Sequence, residues 1–200
     1  RGASVGPAIF ERPHRGSWCL MLIATLLLGC GDATPFPAER SVVDLGGRPV
    51  DPLASTPRAT VLVFTTPACP IANRYAPEIT RLHERFASDG VRFWLVYADP
   101  ADDAAAVATH HAAYEFPFAA VRDPEHVLVE RTGATVTPEV AVFDPHGRML
   151  YRGRIDDRFV AFGRTRPTPT ERDLEDVLDA IVHDRPITAR TTEAIGCFIP

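Results

Sequence analysis

Apolar positions along residues 41–183 follow two rhythms, and the switches between them mark out the elements. The run 61–65, Val-Leu-Val-Phe-Thr, has no polar break and predicts a short buried strand. Ile71, Tyr75, Ile79, Leu82 and Phe86 then recur every three or four residues, which predicts a helix over 71–87. Asp89-Gly90 supplies its exit. Residues 91–97 read as the next strand. Residues 102–114 form an alanine-rich helix capped by Asp102 or Asp103. A short strand is expected over 118–122 and a helix over 124–131. Strands at 140–143 and 149–152 are joined by the turn Asp144-Pro145-His146-Gly147. The last helix spans 170–183, with Leu174, Val177, Leu178 and Ile181 on one face, Thr170 at its N-cap and Asp173 in its first turn. Residues 41–51, centred on Gly46-Gly47, read as a small hairpin or turn, and residues 184–200 show no clean period. Strand–helix alternation closed by a hairpin and a helix predicts an α/β fold, a central mixed sheet flanked by helices.

The first strand ends close to Cys69, and Cys69 opens the first helix. A helix N-terminus offers unpaired N–H groups and about half a positive charge, both of which favour thiolate over thiol. Cysteines in such places have pKa values of about 3.5–7.5, against about 8.5 when free. Pro70 suits the first helical position, where a missing N–H costs nothing. Cys69 is therefore the candidate nucleophile, with a walled-in structural cysteine as the bland alternative.

The chain holds 21 basic residues, all arginine, against 26 acidic ones, a net charge of −5. Arg12 and Arg15 precede the apolar stretch 18–29. That stretch is shorter than the ~20 residues needed to span a bilayer, and a basic region before a short apolar core reads as a signal peptide over 1–29. Leu27-Leu28-Gly29-Cys30 resembles a bacterial lipobox, which implies cleavage before Cys30 and a lipid on that residue. Residues 30–40, with Pro35 and Pro37, would tether the domain to the membrane. Loss of Arg1, Glu11, Arg12 and Arg15 would leave 18 arginines against 25 acidic residues, a net charge of −7. Such a balance disfavours nucleic acid as a partner. Cys19 would leave with the signal and Cys30 would carry lipid, so Cys69 and Cys197 remain as a candidate pair in a compartment where disulfides persist.

The segment Thr65-Thr66-Pro67-Ala68-Cys69-Pro70-Ile71-Ala72-Asn73-Arg74-Tyr75-Ala76-Pro77, followed far downstream by Thr137-Pro138, resembles the thioredoxin-like superfamily, nearest to its redoxin or peroxiredoxin-like (AhpC/TSA) branch. The likeness spans residues 41–183. Pro77 stands where thioredoxins carry a helix-kinking proline, and Thr137-Pro138 stands where they carry a cis-proline before a strand. The resemblance implies a thioredoxin-like fold, a cis bond at Pro138, and a docking face for an extended partner segment beside Cys69. Thr66, Thr137 and Pro138 are the candidate substrate-binding residues, with the Thr66 hydroxyl expected to reach the sulfur.

The departures narrow the chemistry. The second cysteine of a Cys-x-x-Cys motif is replaced by Ala72. Of the peroxiredoxin pattern Pro-x-x-x-Thr-x-x-Cys, Thr66 and Cys69 are present but Leu62 fills the proline slot. The arginine that polarises peroxide in that branch is replaced by Pro138, leaving Arg122, Arg148 or Arg152 as substitutes. In the tail, Ala194-Ile195-Gly196-Cys197-Phe198-Ile199 is apolar enough to pack on the domain, and Gly196 permits close backbone approach. Cys197 could then resolve a mixed disulfide on Cys69, provided the two Cα atoms come within about 7 Å; a free or structural cysteine in a docked tail is the even alternative. The expected function is an exported thiol–disulfide oxidoreductase acting on a protein or small-molecule thiol or disulfide, without a cofactor. A thiol peroxidase is the alternative. A Cu(I) site built from Cys69, Cys197 and His126 or His146 is a more remote one, and no resident metal is expected.

Two other features read as surface. His110-His111 point about 100° apart on a helix and make a poor chelate, which leaves them as surface histidines. Residues 151–158, rich in Arg and Asp, read as a solvated turn knitted by ion pairs.

Overall fold

A computed structural model describes residues 40–54, 58–188 and 190–200. The expected signal peptide over 1–29 and nearly all of the tether lie outside the described residues. The short β1 (Val43–Asp44) leads into β2 (Ala59–Thr65), α1 (Pro70–Phe86), a single 3₁₀ turn (Ala87–Asp89) and β3 (Val91–Tyr97). α2 (Ala104–Ala113), β4 (Ala120–Arg122) and α3 (Val127–Thr132) follow, then β5 (Val136–Thr137), β6 (Glu139–Phe143) and β7 (Met149–Gly153). A small hairpin, β8 (Phe159–Ala161) and β9 (Arg164–Thr165), precedes α4 (Asp173–Val182) and the terminal β10 (Cys197–Phe198).

Six strands form one mixed sheet in the order β1-β4-β3-β2-β6-β7. β2, β3 and β4 run parallel, while β6 lies antiparallel to β2 and β7 antiparallel to β6. Every residue of β2 and of β6 is buried, as befits central strands covered on both faces. Alternate β2 residues serve the two sides. Val61 and Val63 join α1, α4 and Val107 of α2 in one cluster. Leu62 and Phe64 join Leu128 of α3 in the other. The expected α1 face, Ile71, Tyr75, Ile79, Leu82 and Phe86, is buried in the first cluster. Gly90, at φ +83°, ends the 3₁₀ turn in the left-handed conformation that glycine adopts freely. Among the described residues no helix is long and apolar enough to cross a membrane.

Three expectations need correction. Thr170 does not cap α4. The helix starts at Asp173, and the Thr170 N–H and hydroxyl both donate to the buried Asp157 carboxylate. His110 is buried rather than exposed, bonded to the Tyr97 hydroxyl at 2.8 Å and to Asn73 Oδ1 at 2.8 Å. The charged run 151–158 is not a solvated turn, because Tyr151, Ile155, Asp156 and Asp157 are all buried. Its carboxylates have specific partners instead: Asp156 accepts from the buried Tyr75 hydroxyl, and Asp157 pairs with Arg166 at the surface. The aperiodic tail contains a two-residue strand, β10, and the segment before α4 contains the β8–β9 hairpin.

Candidate active site

Cys69 is the N-cap of α1, in extended conformation at φ −86° and ψ 108°, and its side chain takes the role usually played by a hydroxyl or carboxylate. The Ala72 N–H donates to its sulfur at 3.4 Å, while Asn73 N–H bonds its carbonyl at 3.0 Å. The residue is fully buried, although Ala68 and Pro70 on either side are exposed. The local sequence accounts for this placement. β2 ends at Thr65, Pro67 forces an extended lead-in for Thr66, and Pro70 fits the first helical turn.

Opposite the thiol lies the cis Thr137–Pro138 peptide, at the junction of β5 and β6. The Thr137 carbonyl oxygen is 3.0 Å from Cys69 Sγ and accepts the proton of the thiol form. β10 comes in from the tail and pairs antiparallel with β5, setting Cys197 opposite Thr137 and Phe198 opposite Val136. Gly196 is what lets it seat. A Cβ there would lie 2.2 Å from the Thr137 carbonyl oxygen and 3.2 Å from Pro138 N. The structure thus brings Cys69, Cys197, Thr137 and Pro138 into one cluster, with both cysteines as free thiols. Thr66 is the exception: its hydroxyl donates to Asp102 Oδ2 at 2.9 Å instead of reaching the sulfur.

The electrostatics separate the two thiols. Burial pushes the Cys69 pKa up, but donors outweigh it and the net shift is downward. Those donors are the Cys197 thiol, the Ala72 N–H, the Thr137 hydroxyl and the Cys197 N–H. For Cys197 burial, the hydrogen bond it gives to Cys69 and the negative charge on Cys69 all act in one direction, and its pKa is pushed up to about 12. Of the two thiols, Cys69 is the one shifted toward ionisation, while Cys197 keeps its proton to higher pH.

A polar network backs the loop before Cys69. Asn73 Nδ2 donates to the Pro67 carbonyl at 3.0 Å, and its Oδ1 meets His110, whose other ring nitrogen meets Tyr97. Burial, with the neighbouring His111 charge adding to it, lowers the His110 pKa and favours neutral imidazole. Sequence reasoning missed this chain of contacts. A three-residue step from Val107 to His110 on α2 was the available signal, since both face the core. His126, one of the remote metal candidates, lies with Nε2 2.8 Å from the Ala98 carbonyl. The tail is fastened beyond Cys197 as well. Thr192 bonds the Tyr151 hydroxyl at 2.6 Å and the Arg154 N–H at 3.2 Å, and Ile199 N–H reaches the Thr135 carbonyl at 3.0 Å.

The sequence matches the AhpC/TSA family over residues 38–152. It matches no curated protein. Among solved structures, an uncharacterised conserved protein from Geobacillus kaustophilus is 23% identical at a TM-score of 0.70, over 80% of this chain and 86% of its own. A hypothetical protein from Sinorhizobium meliloti is 22% identical at 0.67, over 79% and 88% respectively. A secreted Mycobacterium tuberculosis disulfide oxidoreductase homologous to E. coli DsbE is 21% identical at 0.50, over 72% and 94%. Those likenesses are of fold. With more than half of its length matching the family and its thiol at the head of α1 facing a cis-proline, the chain belongs to the AhpC/TSA family, a redoxin branch of the thioredoxin-like superfamily.

Proposed function

We propose that this chain is an exported thiol–disulfide oxidoreductase, with Cys69 as nucleophile and Cys197 as resolving thiol. The observation that carries the reading is the pairing of β10 with β5, which sets Cys197 opposite Thr137, whose carbonyl oxygen lies 3.0 Å from Cys69 Sγ, and so brings a second reducing group close to the first. A fold relative that is a secreted disulfide oxidoreductase supports the same reaction class. In the first step Cys69 thiolate attacks one sulfur of a substrate disulfide. A Cys69–substrate disulfide forms and the other substrate sulfur leaves as thiolate. In the second step Cys197 attacks Cys69 Sγ, the remaining substrate thiolate departs with the proton from Cys197, and a Cys69–Cys197 disulfide is left. The substrate gains two electrons and the protein loses two.

The order of the steps follows from the coupling between the thiols. Cys197 is held protonated by burial and by its bond to, and the charge of, Cys69. The last two causes vanish once Cys69 is covalently engaged, so Cys197 becomes a better nucleophile when it is needed. Thr137 and Pro138 shape the face against which a partner would lie. A peroxidase would use the same pair, with a Cys69 sulfenic acid condensing with Cys197. The arginines that would polarise peroxide have other partners: Arg122 donates to the Asp102 carbonyl, and Arg148 and Arg152 pair with Asp144 and Glu139. Residues 1–29 as a signal and a lipidated Cys30 would hold the domain at the periplasmic face of a bacterial membrane.

Single-turnover reaction with oxidised glutathione tests the assignment. The parent protein is expected to release two glutathiones per chain. Cys197→Ser stops with one glutathione on Cys69, located by peptide mass, and Cys69→Ser releases none. Release by Cys69→Ser at the parent rate would sink the proposal.

A further inference from the structure

The two thiols divide reactivity and access between them. Cys69 is the one poised to ionise, yet it is fully buried. Cys197 is half-buried and can be touched, yet its proton is held up to a pKa of about 12. The tail lies alongside the first of these. The backbone edge of Val136–Thr137 beside Cys69 is already paired with Cys197–Phe198. The Gly196 backbone lies so close to the Thr137 carbonyl that nothing larger than a hydrogen fits between them. The segment is held at both ends. At one end Thr192 sits on Gly153, where an added Cβ would meet the Thr192 backbone oxygen at 2.5 Å, and bonds Tyr151 and Arg154. At the other, Ile199 N–H bonds Thr135. Between the two anchors Glu193 and Phe198 face outward, Phe198 82% exposed, while Gly196 is buried and Ile195 and Cys197 pack against the core.

We infer that residues 193–198 form a strap that lies where a partner strand would lie and keeps reduced Cys69 closed. The inference rests on Cys69 being the reactive thiol. With the strap seated, neither sulfur is both ionised and reachable, so oxidants meet a resting state. Reaction requires the strap to lift. Its Gly-Cys step doubles as the element that later resolves the mixed disulfide, so closure and resolution belong to one segment.

The test separates closure from resolution. Alkylation of Cys69 by iodoacetamide, in which a C–S bond forms and iodide leaves, is followed by mass on the Cys69 peptide of the full chain. Rates are read on the alkaline plateau, where Cys69 is ionised in every variant. Cys197→Ser keeps the strap and is expected to react slowly. Gly196→Leu in the Cys197→Ser background, and a chain stopped after Glu193, are expected to react about tenfold or more faster, for an open form populated at about 10% or less. The stopped chain keeps the test valid if the leucine variant fails to fold. Equal plateau rates in strapped and unstrapped proteins would overturn the strap while leaving Cys69 chemistry intact. A Cys69 that stays unreactive with the tail removed would overturn the thiol reading and the strap with it.

Discussion

At the scale of the residue, the site turns on which sulfur carries the proton. One acceptor, the Thr137 carbonyl at 3.0 Å, serves only the thiol form of Cys69. Four donors serve the thiolate, two of them from Cys197, and the balance favours ionisation despite burial. A pH profile of Cys69 alkylation should therefore have its midpoint below that of an ordinary cysteine. The sign is fixed by the donors: a lowered pKa means that thiolate persists as pH falls and is lost only below the shifted value. Cys197→Ala removes the thiol donor and is expected to move the midpoint up. A midpoint unchanged by that substitution would mean that the Cys197 thiol does not hold Cys69. The position of Cys69 at a strand-to-helix junction was legible from sequence, because the switch from a continuous apolar run to a three-to-four spacing falls on it. The direction of the Thr66 hydroxyl was not. It depends on Asp102, which stands at the end of a different loop and whose own pKa is raised, foremost by burial.

At the scale of the element, charged side chains sort themselves by what is left unpaired in the fold. Asp157 illustrates this. Burial opposes its ionisation, but the Glu171 N–H, the Thr170 hydroxyl and N–H, and Arg166 outweigh it and bring the pKa down to about 2. Its unfolded value is about 3.9. The stabilisation from ionised Asp157 is thus complete above about pH 4 and disappears as pH falls through about 2. Asp157→Asn is expected to lower stability at pH 7 and to flatten the acid limb between those values, as measured by urea unfolding across pH. An acid limb as steep as the parent's would contradict the assignment. Asp123 plays a related part at α3, accepting from the Val127, Leu128 and Val129 N–H groups at 2.7, 2.8 and 3.1 Å. Asp123→Ala leaves these donors without that partner and should cost about 2–3 kcal/mol in the same assay. The long elements were readable because each repeats its period several times. β10 was not, since two residues carry no period and its partner β5 lies 60 positions upstream at Thr137. The loop 154–158 misled for a different reason: composition suggested water where the fold supplies Tyr75, Thr170 and Arg166 as partners.

At the scale of the whole molecule, the sheet delivers β2 and β6 side by side so that the head of α1 and the cis peptide face each other. The terminal segment returns across Gly153 and Thr137 to finish the site. Family membership covers residues 38–152 and so includes Cys69 and Pro138 but stops short of Cys197. The second thiol lies beyond the matched region, and the proposed reaction turns on whether the two sulfurs join. The decisive measurement is peptide mass mapping, without reductant, of the protein after mild diamide oxidation. One intramolecular bridge linking the Cys69 and Cys197 peptides is expected, formed independently of protein concentration. Both peptides recovered as free thiols, or Cys69 found only in bridges between chains, would contradict it.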